Sequence, residues 1–270
     1  MLKNFLLSSF RNFKKNRVFT VLNLLGLAVA IGGIFTIYVF IQNELSVDDV
    51  LNDKSSTYLV TILEETENSS REVGLSDLGT EKWMNSKNSE IISSHHFRNM
   101  GKALLRNDLV KGEQSLTLAQ SNFFDYFNLP LIHGDRKTAL DEPNSIILSE
   151  SASKKYFGDA NPVGQKLEVY GDYTMPLQVT GVIKESIKTH FSYDCIISWD
   201  SRPTDSPQTV GHWYRYSINS YIKTATPEDP YKLASIISNR HREEFPEDNI
   251  EFQLYPLNDL YFEIGHVQFL

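Results

Sequence analysis

The sequence predicts an α+β protein in which one N-terminal transmembrane helix precedes a mixed α/β domain outside the membrane. Three observations lead to this prediction. A long apolar run lies near the N-terminus, strand patterns with a two-residue period recur after it, and short helical patterns alternate with those strands. Of the 270 residues, 41% are hydrophobic and 22% are charged, as is ordinary for folded proteins. We expect a cytoplasmic or interfacial amphipathic segment at 1–17, a transmembrane helix at 18–41 and an exterior domain at 42–270.

The transmembrane prediction comes from the run between Val18 and Ile41, which contains 24 residues and no charge. As an α-helix this run is roughly 36 Å long, more than the hydrocarbon core of a bilayer, which is about 30 Å thick. A cleaved signal peptide is the alternative, because Ala28-Val29-Ala30 offers a small-residue cleavage pattern. Eleven more uncharged residues follow that pattern. Cleavage would leave them as an apolar N-terminus, so we predict a retained helix.

Charge predicts the orientation of the helix. Five basic residues and no acidic residue precede it, whereas Glu44, Asp48, Asp49 and Asp53 follow it. Because positive charges favour the cytoplasmic side, the N-terminus is expected in the cytoplasm and the main domain outside. The first 41 residues carry +5, and the remaining 229 therefore carry −13 of the net charge of −8. An acidic exterior gives no support for nucleic-acid binding.

The segment before the helix has an amphipathic pattern. One helical face would carry Leu2, Leu6, Ser9 and Phe13, with Phe5 and Phe10 beside it. This pattern favours an interfacial helix on the inner leaflet, and the alternative is a frayed extension of the transmembrane helix.

Small and polar residues within the span predict packing against another membrane helix. These residues are Asn23, Gly26, Ala28, Gly32 and Gly33. The spacing of Ala28 and Gly32 lets two helix backbones approach closely, and the Asn23 amide could hydrogen-bond across such a contact. Glycine is also common in membrane helices in general, so the sequence leaves both interpretations open.

Strand patterns recur from Thr57 onwards. The first strand is T-Y-L-V-T-I-L, which is rich in β-branched and aromatic residues. A later strand is predicted with Met175, Leu177, Val179 and Ile183 on one face, interrupted by Gly181. Two more strands are predicted, one with Tyr214, Tyr216, Ile218 and Ile222 on one face and one with Ile250, Phe252 and Leu254 on one face. The single cysteine, Cys195, excludes an intrachain disulfide and is expected in a buried strand.

Helical patterns lie between these strands. The pattern at 226–245 has Thr226 or Asp229 as its cap with a proline just inside it. Its apolar stripe consists of Leu233, Ile236, Ile237 and Phe245. A further helix is predicted at 76–85 and a loop at 201–209.

The segment 144–167 has a complete set of local structural signals. A short apolar strand is followed by Ser149 as the N-cap of a helix that ends at Phe157. Gly158 follows as the C-terminal stop, and the turn after it contains Pro162 and Gly164, where glycine suits a positive φ. We expect 121–184 to form one compact unit. Its predicted buried residues are Phe123, Phe124, Phe127, Ile147, Tyr156 and Phe157.

Motifs for catalysis and for metal or nucleotide binding are missing from the sequence. It contains no H-E-x-x-H, no G-x-S-x-G and no phosphate-binding loop, so ATP hydrolysis by this chain is not expected. His95 and His96 are adjacent, but neighbours on a strand point to opposite faces and do not readily share a metal. Ser149 and Ser151 have no histidine placed by sequence as a base. We expect no enzyme activity, and no catalytic, cofactor or metal site.

Five stretches of the sequence occur in the order of motifs in one transporter family. They are residues 10–32, 43–48, 121–135, 144–167 and 179–184. The first two resemble the first membrane helix and its exit in MacB/FtsX-type ABC transporter permeases, of the type found in Bacteroidetes-like bacteria. The other three resemble signatures of the MacB-type periplasmic core domain. This sequence departs from the family pattern after Val182. The turn that the family pattern predicts there is absent, and Ser186–His190 stands in its place.

The resemblance implies a MacB periplasmic-core fold and a mechanical function in the bacterial inner membrane. Such permeases work with a cytoplasmic ABC ATPase subunit, a second permease copy or homologue, and a periplasmic partner protein. They handle lipoproteins, peptides or drugs, or activate cell-wall hydrolases. The implied structural signature is Ser149, Phe157, Gly158, Pro162, Gly164 and Gly181. Family members continue into further membrane helices, so we expect this sequence to be the N-terminal portion of a longer permease.

Two other classes of protein remain as alternatives. The first is a single-pass, membrane-anchored periplasmic binding or sensor module. A signalling receptor needs a cytoplasmic output domain, and the 17 residues expected inside are too few for one. The second is a membrane-anchored enzyme, which the missing catalytic motifs disfavour. Further membrane spans encoded downstream and a neighbouring ATPase gene would favour the permease.

Overall fold

The fold was obtained as a computed structural model of the chain. It describes residues 15–48, 51, 53–66, 69–73, 90–170, 174–185, 189–191, 193–201, 218–244, 246 and 250–263. The predictions for residues 1–14, for the helix at 76–85, for the loop at 202–209 and for Tyr214, Tyr216 and Phe245 lie outside the described residues. The chain divides into two compact units, Met1–Asp49 and Val50–Leu270.

Helix α1, Arg17–Leu45, is the main element of the first unit and contains 29 residues. In the described part of the chain it is the one helix long and apolar enough to cross a membrane. Its length is about 44 Å at the standard helical rise. The hydroxyl groups of Thr20 and Thr36 donate to carbonyl oxygens one turn earlier, at 2.9 and 2.8 Å. The helix thus satisfies these polar groups internally, as an apolar surrounding requires.

The second unit combines strands with short helices. Its described strands are β1 (Thr57–Thr66), β2 (Ser69–Val73), β3 (Ile91–Arg106), β4 (Lys111–Ala119), β5 (Leu131–Gly134), β6 (Ser145–Ser149), β7 (Lys166–Tyr170), β8 (Met175–Ile183), β9 (Cys195–Ser198), β10 (Asn219–Thr224) and β11 (Ile250–Pro256). Its described helices are α2 (Phe123–Tyr126), α3 (Glu150–Phe157), α4 (Pro230–Glu244) and α5 (Leu257–Glu263). The predicted α+β class is confirmed.

Six strands form a closed ring of hydrogen-bonded neighbours, which we call the barrel. Its order is β3, β4, β9, β6, β8, β7 and back to β3. The β4–β9 and β6–β8 pairs are parallel and the other pairs are antiparallel. Strand β5 pairs with the end of β8 outside the ring. Closure satisfies the backbone groups that would otherwise form sheet edges.

The remaining strands extend the sheet from β3 and form what we call the wing. Its order from the barrel outwards is β10, β1 and β11, and β2 also pairs with β1. Strand β3 belongs to both parts, because residues 91–97 pair with β10 and residues 104–106 pair with β7. A bulge between Asn99 and Gly101 separates the two parts of β3, and bulges bend strands. One continuous strand therefore connects the barrel to the wing.

Three apolar clusters hold this sheet together. The barrel interior contains Leu105, Leu116, Leu118, Ile146, Leu148, Leu167, Leu177, Val179, Cys195 and Ile197. The cluster between the wing and α4 contains Tyr58, Val60, Ile62, Ile222, Leu233, Ile237, Phe252 and Leu254. The aromatic-rich cluster contains Leu51, Leu59, Phe97, Phe123, Phe127, Ile147, Ile183, Ile196 and Tyr221. Burial raises the pKa of the Cys195 thiol, and its predicted place in a buried strand is confirmed.

The prediction that Ile183 shares a face with Met175, Leu177 and Val179 is wrong. Those three side chains pack in or against the barrel interior, whereas Ile183 packs in the aromatic-rich cluster. The pairing of β6 with β8 shifts by one residue at Thr180. Because side chains alternate along a strand, one inserted residue transfers every later side chain to the opposite face.

Helix α4 begins as the sequence predicts. The Asp229 carboxylate accepts a hydrogen bond from the backbone N–H of Tyr231 at 2.9 Å, and Pro230 is the first helical residue. Leu233 and Ile237 are fully buried against the wing. The apolar stripe thus fixes the face that α4 presents to the sheet.

Candidate functional site

The segment 144–167 supplies one strand of the barrel and the helix that follows it. The Ser149 hydroxyl accepts a hydrogen bond from the backbone N–H of Ala152 at 3.2 Å, so Ser149 caps α3. Lys154 in the last turn pairs with Glu150 in the first turn at 2.9 Å. The described helix, Glu150–Phe157, has the predicted bounds.

The turn after α3 depends on two glycines in the conformation predicted for them. Gly158 has φ 65° and ψ −138°, and Gly164 has φ 89°. The Gly164 N–H donates to the carbonyl of Val179 at 2.7 Å, which ties the turn to β8. The carbonyl of Pro162 accepts from the N–H of Gln165 at 2.9 Å and closes the turn. These residues therefore shape the backbone and present no reactive group.

Two other residues of the predicted signature have different surroundings. Gly181 pairs with Ile147 immediately after the shift at Thr180, and the carbonyl of His133 lies 3.4 Å from where a Cβ atom on Gly181 would stand. Phe157 packs against the barrel cluster with part of its surface exposed, so it is less buried than the other five residues of the predicted core. Phe157 is the last residue of α3, and there the helix leaves the core.

Helix α3 fills one end of the barrel. Ala152 and Tyr156 belong to the cluster of the barrel interior. The Tyr156 hydroxyl lies 2.9 Å from the carbonyl oxygen of Gly112 and 3.3 Å from that of Leu105, so it bonds to both strands of the β3–β4 hairpin. The Asn107 amide donates to the carbonyl of Tyr156 at 2.8 Å. The segment 144–167 therefore closes the barrel and fixes the hairpin to it.

The second candidate region is where the chain that follows α1 joins the domain. Leu51 forms an isolated antiparallel bridge with Phe127, at the end of α2. The Leu51 side chain is buried and packs in the aromatic-rich cluster, which also contains Phe123 and Tyr221. The segment 121–135 thus supplies the surface on which the first residues of the domain are held.

A charged contact reinforces this attachment. The Lys223 ammonium lies 2.8 Å from a carboxylate oxygen of Asp53, although the Lys223 side chain is only 14% exposed. Its Nζ atom also donates to the carbonyl of Asp125 at 3.4 Å and lies 5.4 Å from the centre of the Tyr126 ring. Two backbone groups add a further link, since the N–H of Thr224 donates to the carbonyl of Ser56 at 2.9 Å. We call Leu51, Asp53, Phe127 and Lys223 the junction site.

Sequence reasoning did not single out Leu51, Asp53 or Lys223 as functional residues. Asp53 and Lys223 are 170 positions apart, and no local pattern connects them. The one signal was the stretch 121–135, which resembles a family signature and whose aromatic residues Phe123, Phe124 and Phe127 were predicted as buried core.

The two adjacent histidines lie on opposite sides of β3. His95 contacts the rings of Phe123, Tyr126 and Phe127, with ring centres 5.7, 5.3 and 5.6 Å away. His96 instead hydrogen-bonds through Nδ1 to the hydroxyl of Ser220 at 2.6 Å. Among the described residues, no group of three or more His, Cys, Asp or Glu side chains could hold a metal ion.

The His95 ring is fixed in one protonation state. Asn122 donates its amide N–H to the carbonyl of Ser94 at 2.7 Å, so its amide oxygen accepts from His95 Nδ1 at 2.7 Å. Burial lowers the pKa of His95 to about 3, more than the hydrogen bond to Asn122 raises it. The imidazole is therefore neutral near pH 7 and serves packing.

The barrel with its attached wing is a fold found in the extracytoplasmic domains of membrane permeases. Residues 20–239 match the family described as MacB-like periplasmic core domain. The chain therefore belongs to the MacB-like periplasmic core domain family, as the sequence resemblance suggested. No curated protein matches the sequence.

Three solved structures illustrate the shared fold. A domain of a putative permease protein from Porphyromonas gingivalis superposes with a TM-score of 0.63 at 17% identity, over 76% of this chain and 91% of that one. The periplasmic region of MacB from Actinobacillus actinomycetemcomitans gives 0.54 at 15% identity, over 80% and 97%. The extracellular domain of the noncanonic ABC-type transporter YknZ from Gram-positive bacteria gives 0.52 at 13%, over 74% and 99%.

Proposed function

We propose that this chain is the N-terminal portion of the permease subunit of an ATP-driven ABC transporter or mechanotransmission complex. The observation that carries the proposal is the family match, which begins within α1 and continues through the exterior domain. One apolar helix is thus followed by a MacB-like core domain, which is the order of elements expected for the start of such a permease. Envelope substrates such as lipoproteins, peptides or drugs are the expected cargo.

The location and partners follow from this proposal. Helix α1 crosses the bacterial inner membrane once, with the N-terminus in the cytoplasm and the main domain in the periplasm. A cytoplasmic ABC ATPase subunit supplies the energy, and a second permease copy or homologue completes the membrane part. Asn23, Gly26, Ala28, Gly32 and Gly33 then contact another membrane helix. In support, apart from the chain neighbours and the nearby backbone of α1 itself, no described atom lies within 4 Å of where a Cβ atom on Gly26, Gly32 or Gly33 would stand.

The junction site is proposed to transmit the movement of α1 to the exterior domain. Leu51 lies in the core and Asp53 is paired with Lys223, so displacement of this stretch acts on α2 and β10 directly. From β10 the sheet continues through β3 into the barrel. A closed barrel resists deformation because no strand can be displaced without breaking two ladders of hydrogen bonds.

The test is to purify the full-length permease with and without the ATPase encoded beside its gene and to measure ATP turnover. We expect ATP turnover only when the ATPase is present. We also expect the distance between a spin label on the exterior domain and one on the membrane part to change when ATP is added. Lys223→Met should reduce that movement, whereas the exposed Lys137→Met should leave it unchanged. ATP hydrolysis by the permease alone, abolished by a substitution within these 270 residues, would contradict the proposal.

A further inference from the structure

The tip of the β3–β4 hairpin presents an exposed leucine on a fixed backbone. Leu109 is 90% exposed. The Asn107 side-chain oxygen accepts from the N–H groups of Leu109 and Val110 at 3.0 and 2.6 Å, and the Asn107 N–H donates to the carbonyl of Val110 at 2.9 Å. The Asn107 amide also holds Tyr156 of α3. The hairpin therefore keeps the leucine in one position without covering it.

A groove of about 1290 Å³ lies beside this leucine. Its walls are the hairpin tip, the end of α3, the turn at Gly164 and the start of β7. Phe157, which the core leaves partly exposed, is one of its apolar residues. We call this surface, which contains Leu109, Phe157 and Lys166, the tip groove. A concave surface with apolar and polar groups is the usual shape of a binding site.

The charge of the tip groove differs from that of the rest of the exterior. Its charged lining residues are Arg106, Asp108, Lys155, Lys166 and Glu168, and Lys111 lies beside them. Four cationic side chains thus face two carboxylates, in an exterior that carries −13 overall. Glu168 pairs with Arg106 at 2.9 Å, Lys155 Nζ donates to the carbonyl of Glu113 at 3.2 Å, and Lys111 Nζ lies 4.6 Å from the centre of the Tyr170 ring. All three lysines are exposed, and an ammonium group has three N–H donors, so each can still donate to a ligand. A local positive charge on an acidic domain selects for an acidic partner.

We propose that the tip groove binds an acidic, extended segment of another protein. Its carboxylates pair with Lys111, Lys155 and Lys166, and its apolar side chains pack on Leu109 and Phe157. The shape favours a polypeptide over a lipid surface, because the site is concave and a single protruding leucine gives only weak membrane attachment. The segment 144–167 then has a second role, since its helix end and its turn form the walls of the groove.

The test measures binding of a fluorescent glutamate-rich peptide with interspersed leucines to the full chain in nanodiscs of uncharged lipid. A second peptide has glutamine in place of every glutamate. At low salt, we expect the glutamate peptide to bind more tightly than the glutamine peptide. Leu109→Ser and Lys166→Glu should each raise its Kd by roughly tenfold. The matched controls, Tyr231→Ser at an 83% exposed tyrosine of α4 and Lys137→Glu, should leave the Kd unchanged.

Both test substitutions affect exposed side chains, so the melting temperature should stay constant and report an intact fold. Equal binding of the two peptides, or unchanged Kd values for Leu109→Ser and Lys166→Glu, would overturn the proposal. Displacement of the peptide by a soluble short-chain phosphatidylglycerol, at concentrations where its zwitterionic counterpart has no effect, would assign the groove to lipid instead. Binding here requires no ATPase, so this result is independent of the transport function.

Discussion

At the residue scale, His95 is a fully buried imidazole that stays neutral because its pKa is lowered to about 3. In the unfolded chain the ordinary histidine pKa of about 6.5 applies. As pH falls below that value, the unfolded state binds the proton and the folded state does not. Stability attributable to His95 is therefore lost progressively between about pH 6.5 and 3 and becomes constant below the folded pKa.

His95→Gln should remove this contribution. The difference in unfolding free energy between wild type and variant should change by about 1.4 kcal/mol per pH unit below pH 6.5. Denaturant titrations of the full chain in detergent between pH 7 and 4, followed by tryptophan fluorescence, measure it. Parallel pH profiles for the two proteins would show that His95 titrates in the folded state as it does in the unfolded one.

Gly158 is the second residue whose surroundings lead to a prediction. Its φ of 65° with ψ of −138° is a region that essentially only glycine occupies. Apart from its two chain neighbours, no described atom lies within 4 Å of where a Cβ atom on Gly158 would stand, so the cost of Gly158→Ala comes from the backbone conformation. We expect a loss of about 1–3 kcal/mol in thermal or denaturant unfolding. The neighbouring exposed Asp159→Ala is the control and should change stability by less than about 0.5 kcal/mol.

At the element scale, the end of α2 ties the first residues of the domain to its core. Phe127, which directly follows the helix, forms the bridge to Leu51. Phe127 is fully buried and lies 5.3 Å, centre to centre, from the ring of Tyr221. Phe127→Ala should cost about 3–5 kcal/mol of stability. Phe157→Ala deletes the same atoms from a site that is only partly buried and should cost less, so equal melting temperatures for the two variants would refute the assignment.

The local elements of this fold could be predicted from the sequence, and the long-range ones could not. The Ser149 cap, the stop at Gly158 and the Asp229 cap depend on side chains a few residues from the backbone they bind, and local patterns record such contacts. The ring closure and the junction site depend on distant partners, such as Asp53 and Lys223. Ile183 was misplaced because the alternation of apolar residues was continued across Gly181, although a glycine within a strand often marks a bulge such as the one at Thr180.

At the scale of the whole molecule, the charge asymmetry leads to a prediction about topology. Replacement of Lys14, Lys15 and Arg17 by glutamate removes most of the positive charge before α1, so part of the chains should insert with the opposite orientation. Three glutamates at the exposed Lys137, Lys166 and Lys232 change the net charge equally and should leave the orientation intact. Protease accessibility of the exterior domain in spheroplasts distinguishes the two variants, because inverted chains are protected. Equal and complete cleavage of the domain in both variants would mean that other residues set the topology.

The position of β1 between two late strands has a consequence for how the protein is made. Tyr58 pairs with Ile222 on one side and with Pro256 on the other. The second neighbour is synthesised roughly 200 residues later, which takes about 10–40 s at bacterial rates of elongation. Throughout that interval the edge of β1 that faces β11 is open to pairing with other chains, and the edge that faces β10 is open until residues 219–224 have been made. The fold of this domain therefore depends on protection of β1 from such pairing until β11 has been made.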